Sequence, residues 1–203
     1  MAETIRHESR LAGSEKAIRQ QVLVMVIGAA GSGRTTFAKH LAETLGARRL
    51  DFDILRREIH DSKEYRELGL SDQPLSEGLD IETTEKILRG SKRYEEQIFE
   101  EWLEHLLAAG KSVVIDAERY ARKDNRDLNQ DLATKLGAAT VVAVMKTPGP
   151  AAARRGKEAA SHPCGFEAPA AGEFFVRIDG RQGFARQYED FFNACRVAGL
   201  ADL

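Results

Sequence analysis

One junction constrains this chain more than any other feature: an apolar run that ends in a glycine-rich turn. Within Gln21–Ile27 the sequence reads V-L-V-M-V-I, with no polar residue from Val22 to Ile27. A short continuous run of this kind, rich in β-branched residues and bounded by glycine, predicts a strand buried on both faces. Such a strand needs covering layers on each side. Gly28, Gly31 and Gly33 follow, and Thr35 to Leu45 then place Phe37, Ala38, Leu41, Ala42 and Leu45 on one helical face. Gly46 is the expected stop.

The same alternation continues along the chain. A short strand is expected at Arg48–Phe52 and a helix at Asp53–His60. Residues 61–80 carry Gly69, Pro74 and Gly78 and read as a surface excursion beside a binding site. A long helix is expected from Thr83 to Ala109, burying Ile98, Phe99, Trp102, Leu103, Leu106 and Leu107. Strands at Ser112–Ile115, closed by Asp116, and at Thr140–Met145 flank a helix at Asn125–Leu136. Pro148, Gly149 and Pro150 break the pattern, and an Ala- and Arg-rich helix begins near Ala151. Ser161–Gly172 reads as irregular, and Phe184–Val197 as a last amphipathic helix. Strands alternating with helices predict an α/β fold with a parallel sheet and crossover helices. No apolar run follows the last helix, so either the sheet lacks an edge strand or the chain is one domain of a longer protein.

Length and composition narrow the classes. The 203 residues allow one substantial core with a small insertion. A formal net charge of -2 gives no global basic field for nucleic acid, though a local groove stays open. Cys164 and Cys195 are too few for a disulfide framework and fit a reducing, cytoplasmic setting. The longest strongly apolar run, Val22–Ala30, is too short to span a bilayer, and the polar first twenty residues lack a signal-type apolar segment. No membrane partner is expected.

Gly28 to Thr35 meets the pattern G-x-x-x-x-G-K-[ST] at every position but one: Arg34 stands where lysine is usual. In this context the backbone amides of Gly28, Ala29, Ala30, Gly31, Ser32 and Gly33 can curl around an anion. The helix that follows adds its positive end. Thr35 offers a hydroxyl to Mg²⁺ and Thr36 one to a phosphate. Arginine keeps the charge of lysine but is longer, planar and forked, so the exchange is not neutral. The chain therefore transfers phosphate, or retains the cradle as a nucleotide-binding regulator, or carries a glycine-rich strand-to-helix turn that binds nothing.

Other residues gain meaning after such a loop. Asp53 and Arg56 are three apart on a helix start; the carboxylate could take a proton from a hydroxyl and the guanidinium could grip a phosphate. An N-cap aspartate with a solvated arginine would look the same. Asp116 ends a buried strand, where it could orient Mg²⁺ or simply face solvent. Arg119, Arg122, Lys123 and Arg126 line an acidic-substrate groove or coat an exposed turn. Arg154, Arg155 and Lys157 form a closing cationic segment or a solvated helix face. His162 and Cys164 do not make a zinc site on their own.

The order of these motifs resembles the P-loop kinases related to polynucleotide 5′-kinase, and is similar to small-molecule kinases and zeta-type toxins. The stretches that carry it are "GAAGSGRTTFAKHLAETLGARRLDFDILRREI", "LLAAGKSVVIDAERYARKDNRDLNQDLATKLGA" and "VVAVMKTPGPAAARRGKEA", covering Val22 to Lys157. The resemblance implies a three-layer P-loop NTPase fold over residues 21–203, with residues 1–20 as an N-terminal extension and a lid at about 150–180. It implies ATP or another nucleoside triphosphate, with Mg²⁺ held by Thr35 and Asp116. It places the loop cation on Arg34, the general base on Asp53 and an acceptor-binding arginine on Arg56. A further acceptor arginine falls on Arg126, and the lid arginines on Arg154 or Arg155. The acceptor would be a polynucleotide 5′-hydroxyl, a nucleoside, sugar or antibiotic, or, for a toxin-like kinase, a nucleotide sugar. Glu118 departs from the neutral polar residue usual in relatives and would repel a phosphorylated acceptor.

Overall fold

The apolar run becomes β1 (Val22–Gly28), buried at all seven positions. In the computed structural model, which describes residues 20–60, 81–147 and 166–200, ten further elements follow in chain order. They are α1 (Arg34–Leu45), β2 (Arg48–Asp51), α2 (Phe52–His60), α3 (Ile81–Ala108), β3 (Val113–Asp116) and a 3-10 turn (Glu118–Ala121). Then come α4 (Lys123–Lys135), β4 (Ala139–Lys146), β5 (Phe175–Asp179) and α5 (Phe184–Val197). The five strands form one sheet in the order β2-β3-β1-β4-β5, and every pairing is parallel.

Alternate residues of β1 enter opposite cores, as the period of two in a strand requires. Leu23, Met25 and Ile27 join Phe99, Leu103 and Leu107 of α3 and Ala133 of α4. Val22, Val24 and Val26 join Phe37, Ala38 and Leu41 of α1 and Phe191 and Cys195 of α5. Burying each large aliphatic or aromatic side chain is worth about 1.5–3 kcal/mol over leaving it in water, so neither face of the sheet can stay open. The result is the expected α/β architecture, helices on both faces of a parallel sheet. Burial pushes the Cys195 thiol up to about 12, so it packs as a small protonated hydrophobe.

Several boundaries differ from expectation. The sheet does have a further edge strand: Phe175–Asp179 pairs with β4, Val142 to Phe175 through Lys146 to Asp179. All five of its residues fall within the segment, about 150–180, expected to be lid. Being an edge strand, β5 alternates, with Val176 and Ile178 buried and Arg177 exposed, so it lacks the continuous apolar run that marks β1. Trp102, expected in the core, is 44% exposed. The buried stripe of α3 runs Phe99, Leu103, Leu107 at steps of four, and Trp102 lies about 100° round the helix from Leu103. Among the described residues no helix is long and apolar enough to cross a membrane. The surface excursion at 61–80, the helix near Ala151 and Cys164 lie outside the described residues.

The parallel topology fixes where a site can form. From β1 the chain crosses to β2 on one side; from β3, the neighbour of β1, it crosses to β4 on the other. Adjacent strands whose connections depart in opposite directions open a crevice at their carboxyl ends. Gly28 and Asp116 end those two strands.

Candidate functional site

The turn between β1 and α1 is shaped by contacts that exclude side chains. A Cβ at Gly28 would lie 2.7 Å from Ser32 Oγ and 2.8 Å from Met145 Cβ, so the loop folds back on its own strand only because this residue is glycine. Gly31 and Gly33 adopt φ of 72° and 90°, in the left-handed region that favours glycine. The Ser32 amide donates to Ala29 O at 3.1 Å and closes the turn. Ala29 is half-buried and Ala30 exposed at its tip. Gly33 precedes α1 with no side chain capping the helix, which leaves first-turn amides without intrahelical acceptors. Thr35 and Thr36 are exposed on that first turn.

Ser32 is 1% exposed, and its hydroxyl has no hydrogen-bond partner among the described residues. A buried hydroxyl normally finds a partner. Separately, the glycine turn and the uncapped helix start leave backbone donors of the kind that bind anions.

Two residues that the motif pattern does not contain brace this loop. Thr147, just past β4, donates through Oγ1 to Ser32 O at 3.0 Å. Gly180, just past β5, packs so tightly that a Cβ there would sit 2.2 Å from both Ser32 O and Thr147 Oγ1. Beside it Arg181 forks onto Asp179 and holds that carboxyl down at about 2, chiefly through the side-chain bond.

Arg34 is engaged rather than free. Its Nε donates to Asp116 Oδ1 at 2.9 Å and its Nη1 to Gly28 O at 3.2 Å. The Asp116 side chain is 2% exposed. Arg49, a position the sequence patterns passed over, points Nη1 at Asp116 Oδ2 across 3.8 Å and pairs Nη2 with Asp51 Oδ2 at 3.1 Å. Parallel register sets Asp51 opposite Asp116, which brings the two carboxylates and two guanidiniums together at the carboxyl ends of β2 and β3. The one available signal was the Arg49–Asp51 spacing of two, which puts both on one face of a strand.

Arg126 lies inside the protein. It is fully buried, with Nε and Nη2 on the two oxygens of Glu173 at 2.7 and 3.2 Å and Nη1 on the carbonyls of Tyr120 and Ala121 at 3.0 Å each. Its donors tie α4 to the 3-10 turn and to the approach to β5. Burial by itself would raise the Glu173 carboxyl, but the bonds from Arg126 and the Ala170 amide take it below the ordinary glutamate range. Arg119 is neither solvated nor on the loop: it packs 5.8 Å from the ring centres of Phe52 and Tyr120, facing Glu96 and Glu100 of α3. Arg122 pairs with Asp124 and Lys123 with Asp127, both near the surface.

Asp53 and Arg56 belong to the first turns of α2, directly after β2, and their side chains lie outside the described set, as does that of Glu118. Arg154, Arg155, Lys157 and His162 lie outside the described residues.

The parallel sheet, its flanking helices and the glycine turn at the head of α1 define the class: this is a P-loop kinase-type fold. The chain belongs to the AAA domain family, whose model matches residues 23–170. No curated protein matches it. Among solved structures it is similar to a sugar kinase from Janibacter sp. HTCC2649, at a TM-score of 0.57 and 18% identity over 90% of this chain and 99% of that one. It is likewise similar to a gluconokinase from Sinorhizobium meliloti 1021, at 0.53 and 18% over 90% and 95%. At such identity the likeness is one of fold.

Proposed function

We propose that the chain is an ATP-dependent kinase that moves the γ-phosphoryl group to a hydroxyl acceptor. The observation that carries this reading is the turn at Gly28–Thr36, where Gly31 and Gly33 in the left-handed region lead into a helix start that no side chain caps. The triphosphate would lie along the amides of that turn, with Thr36 and Arg34 as further donors. Asp53 would accept the proton of the acceptor hydroxyl. The acceptor oxygen then bonds to the γ-phosphorus as the bond to the β–γ bridging oxygen breaks, and ADP leaves. Arg56 would hold the acceptor, and Arg154 and Arg155, on a lid between β4 and β5, would neutralise charge on the transferring group.

The donors present fit a magnesium ion, which takes one or two protein oxygens and completes its shell with phosphates and water. The exposed Thr35 hydroxyl and the Asp116 carboxylate would supply those oxygens. When bound, the ion would neutralise negative charge on the phosphate chain. The acceptor is a polynucleotide 5′-end or a small molecule such as a nucleoside, sugar or antibiotic.

A second reading, a nucleotide-binding regulator without transfer, draws on one observation: the Arg34 guanidinium is bonded to Asp116 and Gly28. One experiment separates the two. With γ-labelled ATP and a panel of hydroxyl acceptors, the kinase reading expects labelled product from the native chain and none from Asp53→Ala, with ATP affinity unchanged in that variant. Product from Arg34→Lys alone would favour the regulator. Undiminished turnover by Asp53→Ala would remove the base assignment.

A further inference from the structure

We infer that Arg49 is a positioning residue of the phosphate site, which takes over Asp116 when Arg34 turns to the nucleotide. It rests on the nucleotide-binding reading above and extends it to a residue outside the loop. The arrangement that suggests it is a four-membered charge cluster, Arg34–Asp116–Arg49–Asp51, closed on one side and slack on the other. Arg34 Nε holds Asp116 Oδ1 at 2.9 Å, a full charge-assisted hydrogen bond. Arg49 Nη1 stands 3.8 Å from Asp116 Oδ2, close enough to attract but beyond hydrogen-bond range.

Arg34 occupies the position from which the loop cation reaches phosphate. To do so it must release both Asp116 and the Gly28 carbonyl. Asp116 cannot be left as it is: its side chain is 2% exposed, and a buried carboxylate stripped of its partner is strongly unfavourable. Arg49 is the cation already aimed at its second oxygen. A movement of about 1 Å would bring the pair to hydrogen-bond distance. The Arg49 side chain is 21% exposed and fixed at its far nitrogen by Asp51, so it can pivot toward Asp116 without entering water or losing its anchor. The cluster thus holds Asp116 neutralised at rest by Arg34 and, with metal-free nucleotide bound, by Arg49. Because a guanidinium replaces a compact ammonium at position 34, the resting bond is more directional than a lysine would make.

The test compares Arg49→Gln, Arg49→Lys and Asp51→Asn in the full chain. The readout is ATP affinity by calorimetry, in EDTA so that no divalent ion competes for Asp116, with melting temperature recorded beside it. Asparagine at position 51 keeps the acceptor that Asp51 Oδ1 offers to the Ile54 amide at the start of α2. Arg49→Gln is expected to weaken ATP by about tenfold or more, Arg49→Lys to stay within about threefold, and Asp51→Asn to bind no more weakly than the native chain. If Arg49 serves only as the ion-pair partner of Asp51, Arg49→Gln and Asp51→Asn will lower the melting temperature alike and leave affinity unchanged, which overturns the inference. Should Arg49→Gln fail to fold, the Lys and Asn variants still decide it: weaker binding in Asp51→Asn than in Arg49→Lys is the contradicting order. A native chain that binds no ATP even when Mg²⁺ is supplied removes the nucleotide reading itself, whereas native binding with an unaffected Arg49→Gln removes this inference alone.

Discussion

Gly180 shows how much of the site is held by residues that carry no chemistry. It follows an edge strand more than 140 positions from the loop in sequence, yet its α-carbon abuts the Ser32 carbonyl and the Thr147 hydroxyl. Gly180→Ala would drive a methyl group to 2.2 Å from a backbone oxygen that cannot rotate away. Overpacking of this kind costs about 1–3 kcal/mol, and here the strain is relieved by moving the loop. The expected outcome is a lower melting temperature together with weaker ATP binding, measured by scanning calorimetry and titration. Native values for both would mean that the loop does not depend on this contact. Arg34 makes the complementary point. Its identity was plain in the sequence, and its partner was not, because the bond to Asp116 spans 82 residues and depends on β1 and β3 being neighbours.

At the scale of elements, legibility followed burial. β1, β3 and β4 lie inside the sheet and wear continuous apolar runs, so they could be read directly, as could α5 from its periodic stripe. β5 could not, since an edge strand with Arg177 turned outward looks like loop beside the irregular segment before it. The parallel order that puts Arg49 beside Asp116, and the contact of Gly180 with the loop, are set by register rather than by local pattern. Arg126 stood out in the sequence, but its buried partner Glu173 did not, because the pair spans 47 residues. That clamp joins α4 to the approach to β5, and it has a testable pH signature. The folded state holds the Glu173 pKa below its unfolded value. Its contribution is therefore complete above the unfolded pKa and disappears as pH falls through the folded one. Glu173→Gln, which leaves a buried Arg126 without its carboxylate, should destabilise by about 3–5 kcal/mol at neutral pH. It should also flatten the loss of stability on acidification, followed by denaturant unfolding between neutral and acid pH. Equal slopes for native and variant protein would show that the pair adds no pH-dependent stability.

For the whole molecule, one geometric fact organises the rest: a parallel sheet whose central strand ends in a turn of amides, with a charge cluster at the end of the strand beside it. Everything proposed about transfer, lid and acceptor presupposes that this turn receives a polyphosphate. Calorimetric titration of the native chain with ATP, ADP and adenosine in the presence of Mg²⁺ tests that presupposition directly. Affinity should rise with each added phosphate, and adenosine should be the weakest of the three, because the cradle recognises charge and oxygen rather than the base. Binding of adenosine as tight as that of ATP, or no heat with any of them, would contradict it.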